Sequence, residues 1–247
     1  MIERTEHGEH VILALANGRA NALDTRGLEE LHAAIRSEEV DPPRGLILTG
    51  KGSMFSAGLD LLALERASED EIKALGEALV DATRALFTFP RPVVAAINGH
   101  AIAGGALLAL SCDRRIMAKG KVKFGLTEAR LGLAIPPSLL EMLRYPLSRP
   151  VLEQVVYSGT VFGAEEARSM GIVEDVIESA ALIERCVAAV EEWTPNVNAF
   201  ADVKGRLHAA VLERLDAARV DDGLFVRRWF ADDAQAAIRA QIALLKG

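Results

Sequence analysis

Residues 93–110 read V-V-A-A-I-N-G-H-A-I-A-G-G-A-L-L-A-L. The apolar run 93–97 is short and closed by Asn98-Gly99, as a buried strand ending in a turn should be. The small residues that follow lead into Ala106–Ser111, a segment that reads as a helix buried all round. The same strand, turn and helix grammar lies upstream. G-L-I-L-T-G (45–50) is a buried strand ending in glycine, and M-F-S-A-G-L-D-L-L (54–62) opens a helical turn after it. H-V-I-L-A-L-A (10–16) is a further strand. Asp24 or Thr25 caps a helix with Leu28, Leu31 and Ile35 on one face. Ser68 and Glu71 form a capping box for a helix carrying Ile72, Leu75, Leu79, Leu86 and Phe87, which Pro90 ends. Strands alternate with helices, so the class is α/β.

Beyond about Trp193 no strand candidate remains. The stretch from Pro195 to Gly247 reads as helices with apolar stripes, Leu207, Val211 and Leu215 in one and Trp229, Phe230, Ile238, Ile242 and Leu245 in another. Such a tail packs on the main body or on another subunit. The chain therefore divides into a core at 1–194 and a helical region at 195–247.

The composition sets limits. With 247 residues, half of them hydrophobic, the chain is long enough for a sizeable core. A net charge of -7 argues against non-specific nucleic-acid binding. Cys112 and Cys186 have no metal or redox spacing and read as reduced, buried thiols. The first residues, M-I-E-R-T-E-H-G-E-H, are too polar and acidic for a leader peptide. No apolar run reaches the roughly 18 residues of a membrane span. The expected location is cytoplasmic, with neither nucleic acid nor membrane as partner.

Several common sites are missing. There is no phosphate loop of the G-x-x-x-x-G-K-[ST] type, no dinucleotide fingerprint, no G-x-S-x-G elbow and no H-E-x-x-H. The five histidines are scattered. His7 and His10 read as surface residues, and His100 as a structural hydrogen-bonding partner. No metal site is expected.

Three stretches remain. Two are the glycine-bearing turns. The first N–H groups of a helix lack intrahelical partners and lie at its positive end. Ala57, Gly58, Gly104 and Gly105 are small enough for a ligand oxygen to approach the backbone closely. Two such helix starts side by side would form an oxyanion hole. Taken singly, each turn equally fits a packing requirement. The third stretch is F-G-L-T-E-A-R-L-G-L (124–133). Glu128 there is either a solvent-facing glutamate in a short helix, or a carboxylate against apolar walls whose pKa rises to suit a general base.

In this order and spacing the stretches resemble the enoyl-CoA hydratase/isomerase, or crotonase, superfamily over nearly the whole chain. N-A-L-D (21–24), F-S-A-G-L-D (55–60), N-G-x-x-x-x-G-G (98–105), C-D-R-R-I (112–116), F-G-L-T-E (124–128) and A-x-x-A-x-x-x-G-I-V (164–173) carry the match. The resemblance implies a crotonase-like spiral of ββα units, with the C-terminal helices used in oligomerisation as a homotrimer or dimer of trimers. It implies an acyl-CoA thioester as substrate, with coenzyme A part of that substrate and no separate cofactor. Leu59 N–H and Gly104 N–H would bind the thioester oxygen. Ala57, Gly58, Asp60 and Leu61 would line the same loop, and Arg19 and Ala20 would touch the coenzyme.

Hydratases of the family place one glutamate three residues after the oxyanion glycine and a second in the F-G-x-x-E segment. Here the first position is Leu107, so only Glu128 remains. A-I-P-P-S-L-L-E-M-L (134–143) replaces the hydratase G-x-G-G-T segment. The pattern is most similar to the mitochondrial-type Δ3,Δ2-enoyl-CoA isomerases, although Thr127 stands where those commonly have asparagine. The implied reaction moves a double bond from the 3 to the trans-2 position, a step of fatty-acid β-oxidation, with one glutamate carrying the proton. The alternatives are weak hydration, thioester hydrolysis, decarboxylation, or acyl-CoA binding without turnover. Ile135, Pro136 and Pro137, with the helical tail, are placed to shape the acyl pocket.

Overall fold

The computed structural model describes residues 2–40 and 42–246. Met1 and Gly247, the outer limits of the two expected regions, lie outside the described residues. The strands are β1 (Ile2–His7), β2 (His10–Leu15), β3 (Gly45–Gly50), β4 (Met54–Ser56), β5 (Val93–Ile97), β6 (His100–Ile102), β7 (Arg114–Ala118), β8 (Lys123–Gly125), β9 (Phe162–Gly163) and β10 (Asp175–Ile177). The helices are α1 (Thr25–Ser37), α2 (Glu69–Thr88), α3 (Gly104–Leu110), α4 (Pro137–Leu143), α5 (Arg149–Ser158), α6 (Ala164–Ser169), α7 (Leu182–Trp193), α8 (Val197–Ala218), α9 (Gly223–Trp229) and α10 (Asp232–Lys246).

One unit repeats. β3 and β4 precede α2, β5 and β6 precede α3, and β7 and β8 precede a 3₁₀ turn at Glu128–Leu131. The first strand of each pair joins a large sheet of order β1-β2-β3-β5-β7-β10, and the second joins a small sheet of order β4-β6-β8-β9. The sequence shows no matching repeat, because the units share only their apolar pattern. The expected ββα spiral is present. In the large sheet all pairings but β1 with β2 are parallel. Its central strands are covered on both faces, as parallel strands require. Leu46 and Leu48 enter the main core, while Ile47 points to a second cluster with Leu182, Cys186, Ala189 and Val190 of α7.

Helix ends follow the local chemistry. Asp24 accepts the Gly27 N–H at 2.7 Å and caps α1. Ser68 and Glu71 form the reciprocal box that starts α2. Both cysteines are buried and unpaired, and burial pushes the Cys186 thiol up to about 12.

Three readings need correction. His10 is buried in β2, with burial lowering its pKa, and is not a surface residue. α3 begins at Gly104 rather than Ala106, because the helical bonds start as soon as the chain leaves Ala103. In α8, Val211 and Leu215 are buried but Leu207 is 60% exposed. The inward line of that helix is Lys204, His208, Val211 and Leu215, spaced at 4, 3 and 4 residues. Two of its members are polar, so hydrophobicity alone misplaces the face. In the second stripe Ile238 and Ile242 are buried while Phe230 and Leu245 are exposed.

Those polar members hold the tail to the body. Lys204 Nζ donates to Asp113 at 2.7 Å, and both side chains are almost wholly buried. Asp113 also accepts the Val93 N–H at 2.8 Å. His208 stacks on Phe87 with centroids 3.8 Å apart. Among the described residues no helix is long and apolar enough to cross a membrane. Removing one partner of a buried pair strands the other charge. Lys204→Met should therefore destabilise the fold by about 3–5 kcal/mol in urea unfolding; a loss under about 1 kcal/mol would show that Asp113 is satisfied without it.

Candidate active site

β4, β6 and β8 lie side by side and parallel in the small sheet. Their carboxyl ends therefore open at one edge, where ligands of α/β folds commonly sit. Leu59 comes three residues after β4, Gly104 two after β6, and Glu128 three after β8. All three line one pocket of ≈ 540 Å³. The pocket also takes in Ala57, Leu61, Ala103, Leu107, Leu131 and Leu133, and, from segments not picked out as catalytic, Leu79, Ala134, Ile135, Pro136 and Phe225.

The two loops touch through backbone. Gly58 has φ 86°, and a Cβ there would lie 2.9 Å from Ala103 Cβ and 3.2 Å from Gly104 N. Only glycine permits that approach in that conformation. Ala103 has φ 49° and ψ -122°, a strained conformation for a residue with a Cβ. Neighbours on both sides hold it: its N–H donates to Gly125 O at 2.8 Å, and its carbonyl accepts the Leu107 N–H at 3.0 Å. The strain turns the chain abruptly from β6 into α3, leaving Gly104 as the first helical residue. Among the described residues, neither Leu59 N–H nor Gly104 N–H is donated to a protein acceptor.

Only one of the two donors heads a helix. Leu59 lies in a parallel bridge with Leu23. After it two turns close in succession, Leu64 N–H to Asp60 O at 3.0 Å and Ala67 N–H to Leu64 O at 3.1 Å, without forming a regular helix. The expectation of two helix starts is thus half met: Gly104 opens α3, whereas Leu59 precedes irregular turns.

A polar scaffold fixes the first loop. Asn21, buried with φ 47°, donates through Nδ2 to Lys51 O at 3.0 Å and Met54 O at 2.8 Å. Ser56 Oγ donates to Asn21 O at 2.7 Å and accepts the Gly58 N–H at 3.1 Å. Asn98 plays the same part under the second loop, bonding Gly50 through both its amide atoms. His100 Nδ1 accepts the Lys123 N–H at 3.0 Å, the structural role expected of it.

Glu128 starts the 3₁₀ turn. Its Oε2 is fully buried and, among the described residues, has no hydrogen-bond partner. Burial pushes its pKa up to about 7, opposed only by a bond to its own N–H. Of its two readings, the carboxylate against apolar walls is the one observed. The C-terminal region holds its surroundings. Arg228 of α9 donates to Gly132 O at 2.9 and 2.6 Å, and Asp222 accepts Ser138 N–H at 2.9 Å and Oγ–H at 2.6 Å. Between these two clamps run Leu133, Ala134, Ile135 and Pro136. The Leu133 N–H returns to Glu128 O at 3.0 Å. No local motif announces this clamp, because its halves lie about 90 residues apart.

Residues 9–240 match the sequence family described as enoyl-CoA hydratase/isomerase. The chain belongs to that family. It is 30% identical over 212 residues to the mitochondrial enoyl-CoA delta isomerase 1 of Homo sapiens, covering 85% of this chain and 69% of that one. It is 34% identical over 184 residues to carnitinyl-CoA dehydratase of Escherichia coli K12, covering 73% and 69%. The structure superposes on that of human mitochondrial delta3-delta2-enoyl-CoA isomerase with a TM-score of 0.93 at 28% identity, covering 99% and 98% of the two chains. The fold is thus the crotonase fold. The protein is an enzyme of the enoyl-CoA hydratase/isomerase family, and the family acts on acyl-CoA thioesters.

The remaining named residues are not among those that line the pocket. Ala20 O accepts the Ala57 N–H at 2.9 Å, and the adjacent Arg19 side chain is exposed. Asp60 Oδ1 accepts the Leu62 and Ala63 N–H groups, both at 3.1 Å, so it caps a turn. Gly58 lies beneath the loop contact. Thr127 contributes its carbonyl to the Arg130 N–H at 3.0 Å.

In this enoyl-CoA enzyme the loop contact should be indispensable. Gly58→Ala should fold cooperatively yet turn over enoyl-CoA esters at least about 100-fold more slowly, the scale of one lost oxyanion donor. Wild-type kcat in that variant would show that the close approach is not required.

Proposed function

We propose that the protein is a Δ3,Δ2-enoyl-CoA isomerase that moves one proton with one carboxylate. The observation that carries this reading is the composition of the pocket. Among the described residues, Glu128 is the only titratable side chain lining it. Leu107, 2% exposed, occupies the place where a second acid would be needed to add water.

The chemistry follows from the geometry. The ionised Glu128 carboxylate removes a proton from C2 of a 3-enoyl-CoA. Electron density shifts through the thioester onto its oxygen, giving a dienolate held by the Leu59 and Gly104 N–H groups. Glu128, now protonated, returns the proton at C4, and the double bond lies between C2 and C3. A pKa near 7 suits both halves, because the group must accept the proton and then release it. Two backbone donors of about 2.7–4 kcal/mol each supply several kcal/mol to the dienolate. The apolar walls, Leu61, Leu107, Leu131 and Ile135 among them, exclude water that would otherwise add to the product.

Glu128→Gln should retain binding of CoA esters and lose about 10²–10⁴-fold in isomerase turnover with 3-enoyl-CoA esters. Undiminished turnover would remove Glu128 from the mechanism. Efficient hydration of 2-enoyl-CoA by the unaltered enzyme would defeat the isomerase reading and favour a hydratase.

The same carboxyl links activity to stability. Its folded pKa of about 7 lies above the ordinary 4.5. Between those values the folded protein holds a proton that the unfolded chain releases. The associated stability is complete below the lower value and is lost as pH rises through the upper one. Ionisation then costs roughly 3 kcal/mol above pH 7. Glu128→Gln should therefore be more stable than wild type near pH 8, and the gap should close toward about pH 4–5. Urea titrations at the two pH values read this directly. A pH-independent gap would mean that the carboxyl is not desolvated in the folded state.

A further inference from the structure

Pro136 and Phe225 line the catalytic pocket, and they also line a second, wider groove of ≈ 1550 Å³ on the outer surface. The two spaces therefore meet at these side chains. Phe225 belongs to α9 and is 3% exposed. Behind its ring is Gly76, in the interior of α2 and on the groove side. A Cβ on Gly76 would lie 3.0 Å from Phe225 Cδ1 and 3.3 Å from Cε1. Glycine in a helix interior is less stable than alanine, and here its missing methyl gives the ring its seat. The ring is placed from the other side by the clamps of the C-terminal region, Asp222 on Ser138 and Arg228 on Gly132.

We propose that the Phe225 ring, seated on Gly76, is the stop that sets acyl-chain length, and that removing the ring lengthens the apolar end of the pocket, the groove behind it being walled mostly by charged side chains such as Glu69, Asp70, Lys73 and Arg227. An alkyl chain entering past Glu128 runs between Leu79, Leu133 and Ile135 and ends against the ring. Chains that reach no further bury their methylenes fully. Longer ones must fold back or displace the ring into well-packed surroundings. The proposal rests on the reading of this pocket as the acyl site of an enoyl-CoA isomerase.

Two substitutions push in opposite directions. Phe225→Ala lengthens the apolar end of the pocket. Gly76→Ala favours the α2 helix while pressing the ring toward the pocket, which shortens it. Binding of the unreactive saturated esters butanoyl-, octanoyl- and hexadecanoyl-CoA is measured by calorimetry on wild type and both variants, with 3-enoyl-CoA turnover at matched lengths alongside. Each methylene seated is worth about fourfold in affinity. Phe225→Ala should raise the long-to-short affinity ratio by about tenfold or more, and Gly76→Ala should lower it. Should Phe225→Ala fail to fold, Phe225→Leu must raise the ratio, in the same sense and less strongly. An unchanged ratio in the folded variants, or no ester binding to the wild type at any length, overturns the stop. A shifted binding ratio with no 3-enoyl turnover leaves the stop standing and rejects only the isomerase reading.

Discussion

The site depends on one close backbone approach. Gly58 lies against Ala103 and Gly104 at distances no side chain could share. The small parallel sheet brings the two loops to that point, because β4 and β6 are hydrogen-bonded neighbours. Asn21 and Ser56 then hold the first loop, while Ala103 is kept in a strained conformation by bonds to Gly125 and Leu107. Strain of this kind persists only where the surroundings over-determine it. What it yields is a pair of backbone N–H groups, without protein acceptors among the described residues, on residues that line one pocket.

The second constraint is energetic. One oxygen of the Glu128 carboxyl is buried and has no hydrogen-bond partner among the described residues. The fold gives up stability for this above neutral pH, and the proton affinity of the carboxyl is raised to the range that the proposed single-base reaction needs. The C-terminal helices make such burial possible. They close the pocket with Phe225 and grip the 132–138 segment, so the tail is part of the site and not only an appendage.

Much of the molecule was legible along the chain. The strands at 10–15, 45–50 and 93–97 announce themselves as short apolar runs, and Ser68 with Glu71 announces the start of α2. The inward face of α8 was not, because Lys204 and His208 occupy it. They are tolerated there only because Asp113 and Phe87, about 90 and 120 residues away, receive them. His10 is likewise buried by elements that its own neighbourhood does not predict. Local pattern reports propensity and periodicity; it cannot report which distant group will satisfy a buried polar atom.

By itself, then, the sequence determined the α/β class, the two glycine-bearing turns, and leucine at 107 with glutamate at 128. The first two are properties of residues and spacing; the weight given to Leu107 and Glu128 came from the resemblance to the family. Tertiary structure alone decided that the three stretches meet at one sheet edge, that Glu128 Oε2 is buried with no partner among the described residues, and that Phe225 closes the pocket from the far end of the chain. Each of these depends on desolvation and contact between segments remote in sequence, and those arise only when the chain is folded.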